Sequence, residues 1–382
     1  MSSGRLIFAS AYLGMLLFGV SLITLGSVAP GLREKFSLDS ISIGALFSIL
    51  PFGILTGSLL FGPFADRYGY KIIFVLAGLA MFAGFQGIAY ASSITTLSVC
   101  VFLFGLGGGV MNGSTNAVVS DVSTTNKSAN LSLLGVFFAI GALGMPFILG
   151  TLEKKYSFEI IVASVGYVAL LATILFLITR FPVAKQSHGI SLSRFGNLLT
   201  DSFLLMIGLF LFCQSSFEAI INNWATTYLL DKIDVTMSQA LYALSLYVAG
   251  MAIMRIVLGK VLRQVKSGPV LLASIGLLGV GVLMLQLSSA LAFSTIALVV
   301  IGAGLAAGYP VTLGYVGDRY AAVSGTAFSI VISIGLIGSM IINYTMGIIA
   351  EKFGLDHVVT MVFLLTAGML CFSLVIFKKL KT

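Results

Sequence analysis

Gly62-Pro-Phe-Ala-Asp-Arg-Tyr-Gly-Tyr-Lys71 is a polar segment set between two apolar stretches. Each neighbour is about twenty residues long, enough to cross a bilayer core of roughly 30 Å as a helix. Chemically the segment reads as a tight turn. Gly62 and Gly69 allow sharp backbone and close packing. Asp66 is placed to accept hydrogen bonds from a nearby helix N-terminus, and Arg67 and Lys71 add positive charge at a membrane edge.

Working outward, the same pattern of long apolar run and short polar joint fills the chain. Of 382 residues, 58% are hydrophobic and 9% charged, and mean hydropathy is +1.10. Soluble domains carry roughly 25% charged residues, so this surface needs lipid as its outer solvent. Apolar runs fall near 5–29, 40–64, 72–92, 95–121, 131–150 and 159–181. A second set falls near 200–230, 236–262, 268–288, 292–318, 323–346 and 357–378. The pattern predicts an all-α integral membrane protein of twelve transmembrane helices. The longest joint divides it into a six-helix bundle over 1–181, a linker over 182–199 and a second bundle over 200–382. The first run is too long for a signal-peptide core and is expected to be a retained helix.

Charge sets orientation. Of the 21 Lys and Arg, fourteen fall in joints on the side of the N-terminus and six on the other; Arg255 lies inside a run. Basic residues favour the cytoplasm, so both termini are expected there, in a multi-pass protein of the cell membrane. The net charge of +8 follows this scatter over helix ends, which gives no footprint for nucleic acid. Cys100, Cys213 and Cys371 sit in apolar runs without CxxC spacing, and His188 and His357 have no ligand-spaced companions. Neither a disulfide framework nor a metal site is expected.

The halves repeat. Gly105, Gly107 and Asp121 in the fourth run recur as Gly302, Gly304 and Asp318 in the tenth, each displaced by 197 positions. This implies two pseudo-symmetric bundles around a central cavity.

The ten-residue segment resembles the signature loop G-x-x-A-D-R-x-G-x-K of the major facilitator superfamily, and the twelve runs, central joint and duplication match that group. The resemblance implies transport by alternating access. It assigns Asp66 and Arg67 to gating, with Gly62, Gly69 and Lys71 in the same loop and Asp121 and Asp318 at the repeated helix ends.

Ionisable groups at membrane depth are candidates for function by default. Two stand out, Glu218 and Arg255. Gln214, Glu218 and Asn222 are four apart and share a helical face, with Asn223, Trp224 and Tyr228 close behind. Such a stripe lines a cavity for a polyhydroxylated solute that stacks on Trp224, or it makes a helix contact with Glu218 paired to Arg255. Asn112 and Asn116 form a second stripe, facing another helix or a ligand. Tyr309, Tyr315, Asn343 and Tyr344 are further candidates, and Pro310 is expected to kink its helix and free a carbonyl.

Glu218 with Trp224, and Gly105 to Asn116, resemble motifs of the fucose permease-like sugar symporters. So do the fifth run and Met254-Arg255. Asn112 and Gly26 replace the two acids expected to carry a proton in that group, which excludes coupling through those positions and leaves Glu218. The resulting expectation is alternating-access transport of a small polar solute, foremost a sugar or sugar derivative, by a monomer in the bilayer, as symport with H+ or Na+ or without coupling, and with no cofactor. The alternative is efflux of amphipathic compounds by an antiporter. Against it, the fifth run has Gly135, Gly144 and Pro146 without a fuller glycine pattern. Val101 also stands about where many proton-driven carriers keep an Arg. An enzyme would need a nucleophile–base pair, paired acids or a metal set at depth, and a channel a filter or a ring of charges. The sequence offers neither.

Overall fold

In the computed structural model, residues 3–123, 127–182, 198–262, 264–320 and 324–381 are described. Lipid offers the backbone no hydrogen-bond partner, so apolar segments must bond within themselves, as helices. The first six are α1 (Ser3–Phe36), α2 (Ser40–Tyr68), α3 (Tyr70–Tyr90), α4 (Ile94–Val122), α5 (Lys127–Leu152) and α6 (Phe158–Ile178). Next come α7 (Ser202–Lys232), α8 (Met237–Val261), α9 (Ser267–Gln286), α10 (Leu291–Leu305) and α11 (Gly308–Arg319). The last two are α12 (Ser324–Phe353) and α13 (His357–Lys381). Twelve stretches among the described residues are long and apolar enough to cross a membrane, the tenth being α10 and α11 together.

Polar caps end these helices where the sequence changes character. Asp39 Oδ1 accepts from the amide of Ser42 at 2.7 Å and starts α2. Ser93 caps α4 through the amide of Thr96. Thr236 and Gln239 form a reciprocal capping box on α8, which satisfies amides that would otherwise lack partners.

Two expectations need correction. The first helix does not stop before Pro30 but runs through it to Phe36, because a single proline is tolerated where neighbouring helices support the backbone. The Gly62–Lys71 segment is helical up to Tyr68, and only Gly69 turns the chain, with φ 78°. That conformation suits a residue without Cβ. The tenth span is interrupted at Ala306–Ala307, in the turn before Pro310, where the expected kink of that proline falls.

The chain divides into two compact units, residues 1–188 and 189–382; most of the joint over 182–199 lies outside the described residues. In the first unit α1 packs on α5, α2 and α3 on α4, and α3 on α6. In the second α7 packs on α12, α8 and α9 on α10, and α9 on α13. Span for span, this is the same scheme. The 197-residue offset extends to the packing partners. A Cβ on Gly105 would overlap the carbonyl oxygen of Leu50, and one on Gly302 that of Tyr247. Gly53 likewise lies against Phe102, and Gly250 against Val299. Small residues let these backbones touch.

Candidate functional site

The polar centre of the second unit is built on α7. Glu218 lies fourteen residues before the last residue of that helix, about 21 Å along it at 1.5 Å per residue. Its side chain keeps part of its surface accessible. One turn earlier, Gln214 is buried, and its Nε2 donates both to Glu218 Oε1 at 3.1 Å and to the carbonyl of Leu305 at 3.1 Å. That carbonyl is left over where α10 breaks. Pro310 lacks an N–H and its ring crowds the carbonyl four residues back, so helix cannot continue smoothly through Ala306. Gly308 then passes so close to Gln214 that a Cβ there would overlap its Oε1.

Arg255 on α8 and Tyr247, two turns before it, complete the group with Tyr309 of α11. The guanidinium of Arg255 is within electrostatic reach of Glu218, Tyr247 and Tyr309. It makes no ion pair or hydrogen bond with any described residue. Its Nε is buried without a partner, as is the hydroxyl of Tyr247. The pairing of Glu218 with Arg255, one of the two readings of the stripe, is therefore not what the structure shows. Tyr309 bonds instead to the hydroxyl of Ser215.

The other expected residues separate into groups. Asn222 continues the Glu218 face and is partly accessible. Asn223 turns away and donates to Asn343 Oδ1 at 3.1 Å, and Asn343 donates to the carbonyl of Ser339 at 2.9 Å. The first is a buried contact between α7 and α12, and the second holds the Asn343 amide within α12. Trp224 is wholly buried, so its ring offers no stacking face in this conformation. Tyr315 accepts from Ser267 at 3.0 Å, and Tyr344 is exposed. In the first unit, Asn116 Nδ2 donates to the carbonyl of Asn112 at 2.9 Å and to its Oδ1 at 3.2 Å. Asn116 is exposed; an amide at membrane depth is poorly matched to lipid, so its bonds to Asn112 supply partners that lipid cannot.

At the α2–α3 turn, Arg67 is exposed and lies over the Tyr68 ring at 5.3 Å. Lys71 is exposed, and the side chain of Asp66 lies outside those described. Tyr70 donates to Asp121 Oδ2 at 2.9 Å and ties the start of α3 to the end of α4. The second unit makes its tie differently. Asp318 is exposed, whereas Tyr320 donates to Asp201 Oδ1 at 2.7 Å. Asp201 also accepts from the amides of Phe203 and Leu204 and so caps α7. Burial pushes its carboxyl up, but the Tyr320 bond, the two amides and Arg319 outweigh that and hold it below the usual value. Burial and the Asp201 bond push the Tyr320 hydroxyl up.

Tyr247, Ser215 and Gly308 were not singled out by sequence. Only Tyr247 left a signal, its place two turns ahead of Arg255.

Twelve apolar spans in two like-built units, with a charged and polar cluster at membrane depth, define a polytopic membrane carrier. The sequence model of the Major Facilitator Superfamily matches residues 11–291 and again 220–381, and the chain belongs to that superfamily. It is a secondary transporter, not an enzyme. It is 22% identical over 383 residues to the cis,cis-muconate transport protein of Acinetobacter baylyi, covering 93% of this chain and 90% of that one. It is 30% identical over 183 residues to the 4-hydroxybenzoate transporter PcaK of Pseudomonas putida, covering 46% and 40%. Among solved structures, the nucleoside transporter NupG superposes with a TM-score of 0.80 at 14% identity over 100% of both chains. A D-xylose-proton symporter does so with 0.80 at 14% identity over 98% and 97%. At these identities the two structures speak to the fold alone.

Proposed function

We propose that this chain moves a small organic carboxylate across the cell membrane by alternating access, with Arg255 as its anchor and Glu218 carrying a coupled proton. The observation behind this reading is the guanidinium of Arg255, which makes no ion pair or hydrogen bond with a described residue and whose Nε is buried without a partner. A charge at membrane depth with no counter-ion in direct contact is costly, by several kcal/mol in some settings. A carboxylate solute supplies that counter-ion and suits the planar fork of Arg. The relatives named for 4-hydroxybenzoate and cis,cis-muconate carry solutes of this class, and they favour it over the fucose permease-like group.

Sugar symport is the second reading, favoured by the stripe of Gln214, Glu218 and Asn222. Burial of Trp224 takes away the stacking surface that reading relied on. In both readings the N- and C-termini face the cytoplasm, the working unit is a monomer in lipid, no cofactor takes part and H+ is the coupling ion ahead of Na+.

The test is uptake into proteoliposomes of labelled 4-hydroxybenzoate, its uncharged amide and D-xylose, under an imposed pH gradient and separately a sodium gradient. Accumulation of the acid but not its amide, driven by the pH gradient, is the expected result. Accumulation of D-xylose alone would replace this reading with the sugar one.

A further inference from the structure

We propose that Gln214 is a positioning residue that clasps the break in the tenth span to the state of Glu218. This goes beyond the choice of solute and does not depend on it.

The geometry fixes one orientation of the amide. The carbonyl of Leu305 can only accept a hydrogen bond, so the NH2 group of Gln214 must face it. The same nitrogen reaches Glu218 Oε1. One amide nitrogen thus holds, with its two protons, the carboxylate of α7 and the carbonyl freed at the end of α10. Its own Oε1 is buried without a partner and fills the space where Gly308 has no side chain. Thr312 Oγ1 donates to the carbonyl of Gly308 at 2.7 Å, in the first turn of α11.

Ionised Glu218 is the better acceptor for this NH2. A protonated Glu218 seeks an acceptor, and the same amide carries one without a partner, its Oε1. Turning the amide to offer Oε1 would set that oxygen against the Leu305 carbonyl, two acceptors face to face. Proton uptake by Glu218 therefore releases Leu305 and loosens the Ala306–Ala307 break. The other groups facing Glu218 are Arg255 and Tyr247 of α8 and Tyr309 of α11. The charged residues of α12 and α13, Glu351, Lys352, Lys378, Lys379 and Lys381, lie at the ends of those helices.

Hydrogen exchange read by mass spectrometry on the full chain in lipid nanodiscs tests the clasp without any solute. After correction for intrinsic rates, backbone amides over 303–312 in the parent should exchange faster at ~pH 5 than at ~pH 8. Gln214→Leu should raise exchange there about tenfold at the higher pH and flatten the pH profile. Gly308→Ala should do the same from the opposite side, by displacing Oε1. Glu218→Gln should make the profile flat. Parent-like exchange over 303–312 in both Gln214→Leu and Gly308→Ala would overturn the proposal. So would a rise spread evenly over α7 to α13, which would make Gln214 an ordinary packing residue.

Discussion

Arg255 stands within electrostatic reach of Glu218 yet makes no ion pair with it. Two opposite charges on neighbouring helices would ordinarily neutralise each other at membrane depth. Here Glu218 is bonded to the neutral amide of Gln214, and the guanidinium is left to attract something else. The two side chains are thereby free to do different work, one on the solute and one on the coupled proton.

Removal of the proton-carrying group should separate exchange from accumulation. Glu218→Gln keeps the shape and the bond from Gln214 but cannot ionise. Gradient-driven accumulation of 4-hydroxybenzoate should be lost, while exchange of labelled for unlabelled solute across the membrane persists. A variant that still concentrates the solute as well as the parent would show that Glu218 is not the coupler.

Trp224 should matter to stability and not to affinity. Its side chain is fully buried, so Trp224→Ala leaves a large cavity and should destabilise by about 3–5 kcal/mol. Trp224→Phe should recover much of the stability and bind solute as the parent does. Thermal unfolding in detergent, paired with binding on the same samples, checks this. Normal stability with weakened binding would restore the stacking role.

The repeated glycines should respond as a pair. Gly105→Ala and Gly302→Ala both push a methyl group into a facing carbonyl, that of Leu50 or Tyr247. Each should destabilise its unit by about 1–3 kcal/mol, as overpacking does. Substitution at Gly135, where a Cβ meets nothing, should be nearly neutral. Melting temperatures of the three variants compare these directly.

Acid should act through Asp201. Its carboxyl is held below its ordinary value of 3.8 in the folded protein, so it contributes stability above that value. The contribution is lost as pH falls through the depressed folded value. Tyr320→Phe removes one bond of about 1 kcal/mol and lets the carboxyl rise toward ordinary. The acid limb of the stability profile should then shrink. Asp201→Ala removes the helix cap as well and should lose about 1 kcal/mol more. An acid limb unchanged in Tyr320→Phe would count against this account.

Much of the architecture could be read from residues alone. Apolar runs of about twenty residues leave lipid-facing backbone only one way to satisfy itself, so the spans were visible in composition. The 197-residue offset was visible at Gly105 and Gly302 because close approach tolerates no side chain. The reach of that offset to Leu50 and Tyr247, which carry no such signature, was not. The site was legible in part. Gln214, Glu218 and Asn222 drift only about 40° per step around a helix of 3.6 residues per turn, and they do share a face. Asn223 and Trp224 lie roughly 140° and 240° round from Glu218 by the same geometry. They were grouped with it by closeness in sequence, and they pack inward instead. Gly308 could not have been found, because its role depends on a side chain 94 positions earlier. The break at Ala306–Ala307 was anticipated only through Pro310, whose effect falls on the residues before it.

Arg255 carries the central claim, and uptake by its variants tests it most directly. Labelled 4-hydroxybenzoate would be offered to proteoliposomes holding the parent, Arg255→Lys or Arg255→Gln, under one imposed pH gradient. Arg255→Lys keeps charge without the planar fork and should lose about tenfold in apparent affinity. Arg255→Gln should lose uptake by about a hundredfold or more while remaining folded in lipid. Uptake by Arg255→Gln at the rate and affinity of the parent would contradict the account and leave Arg255 a structural charge.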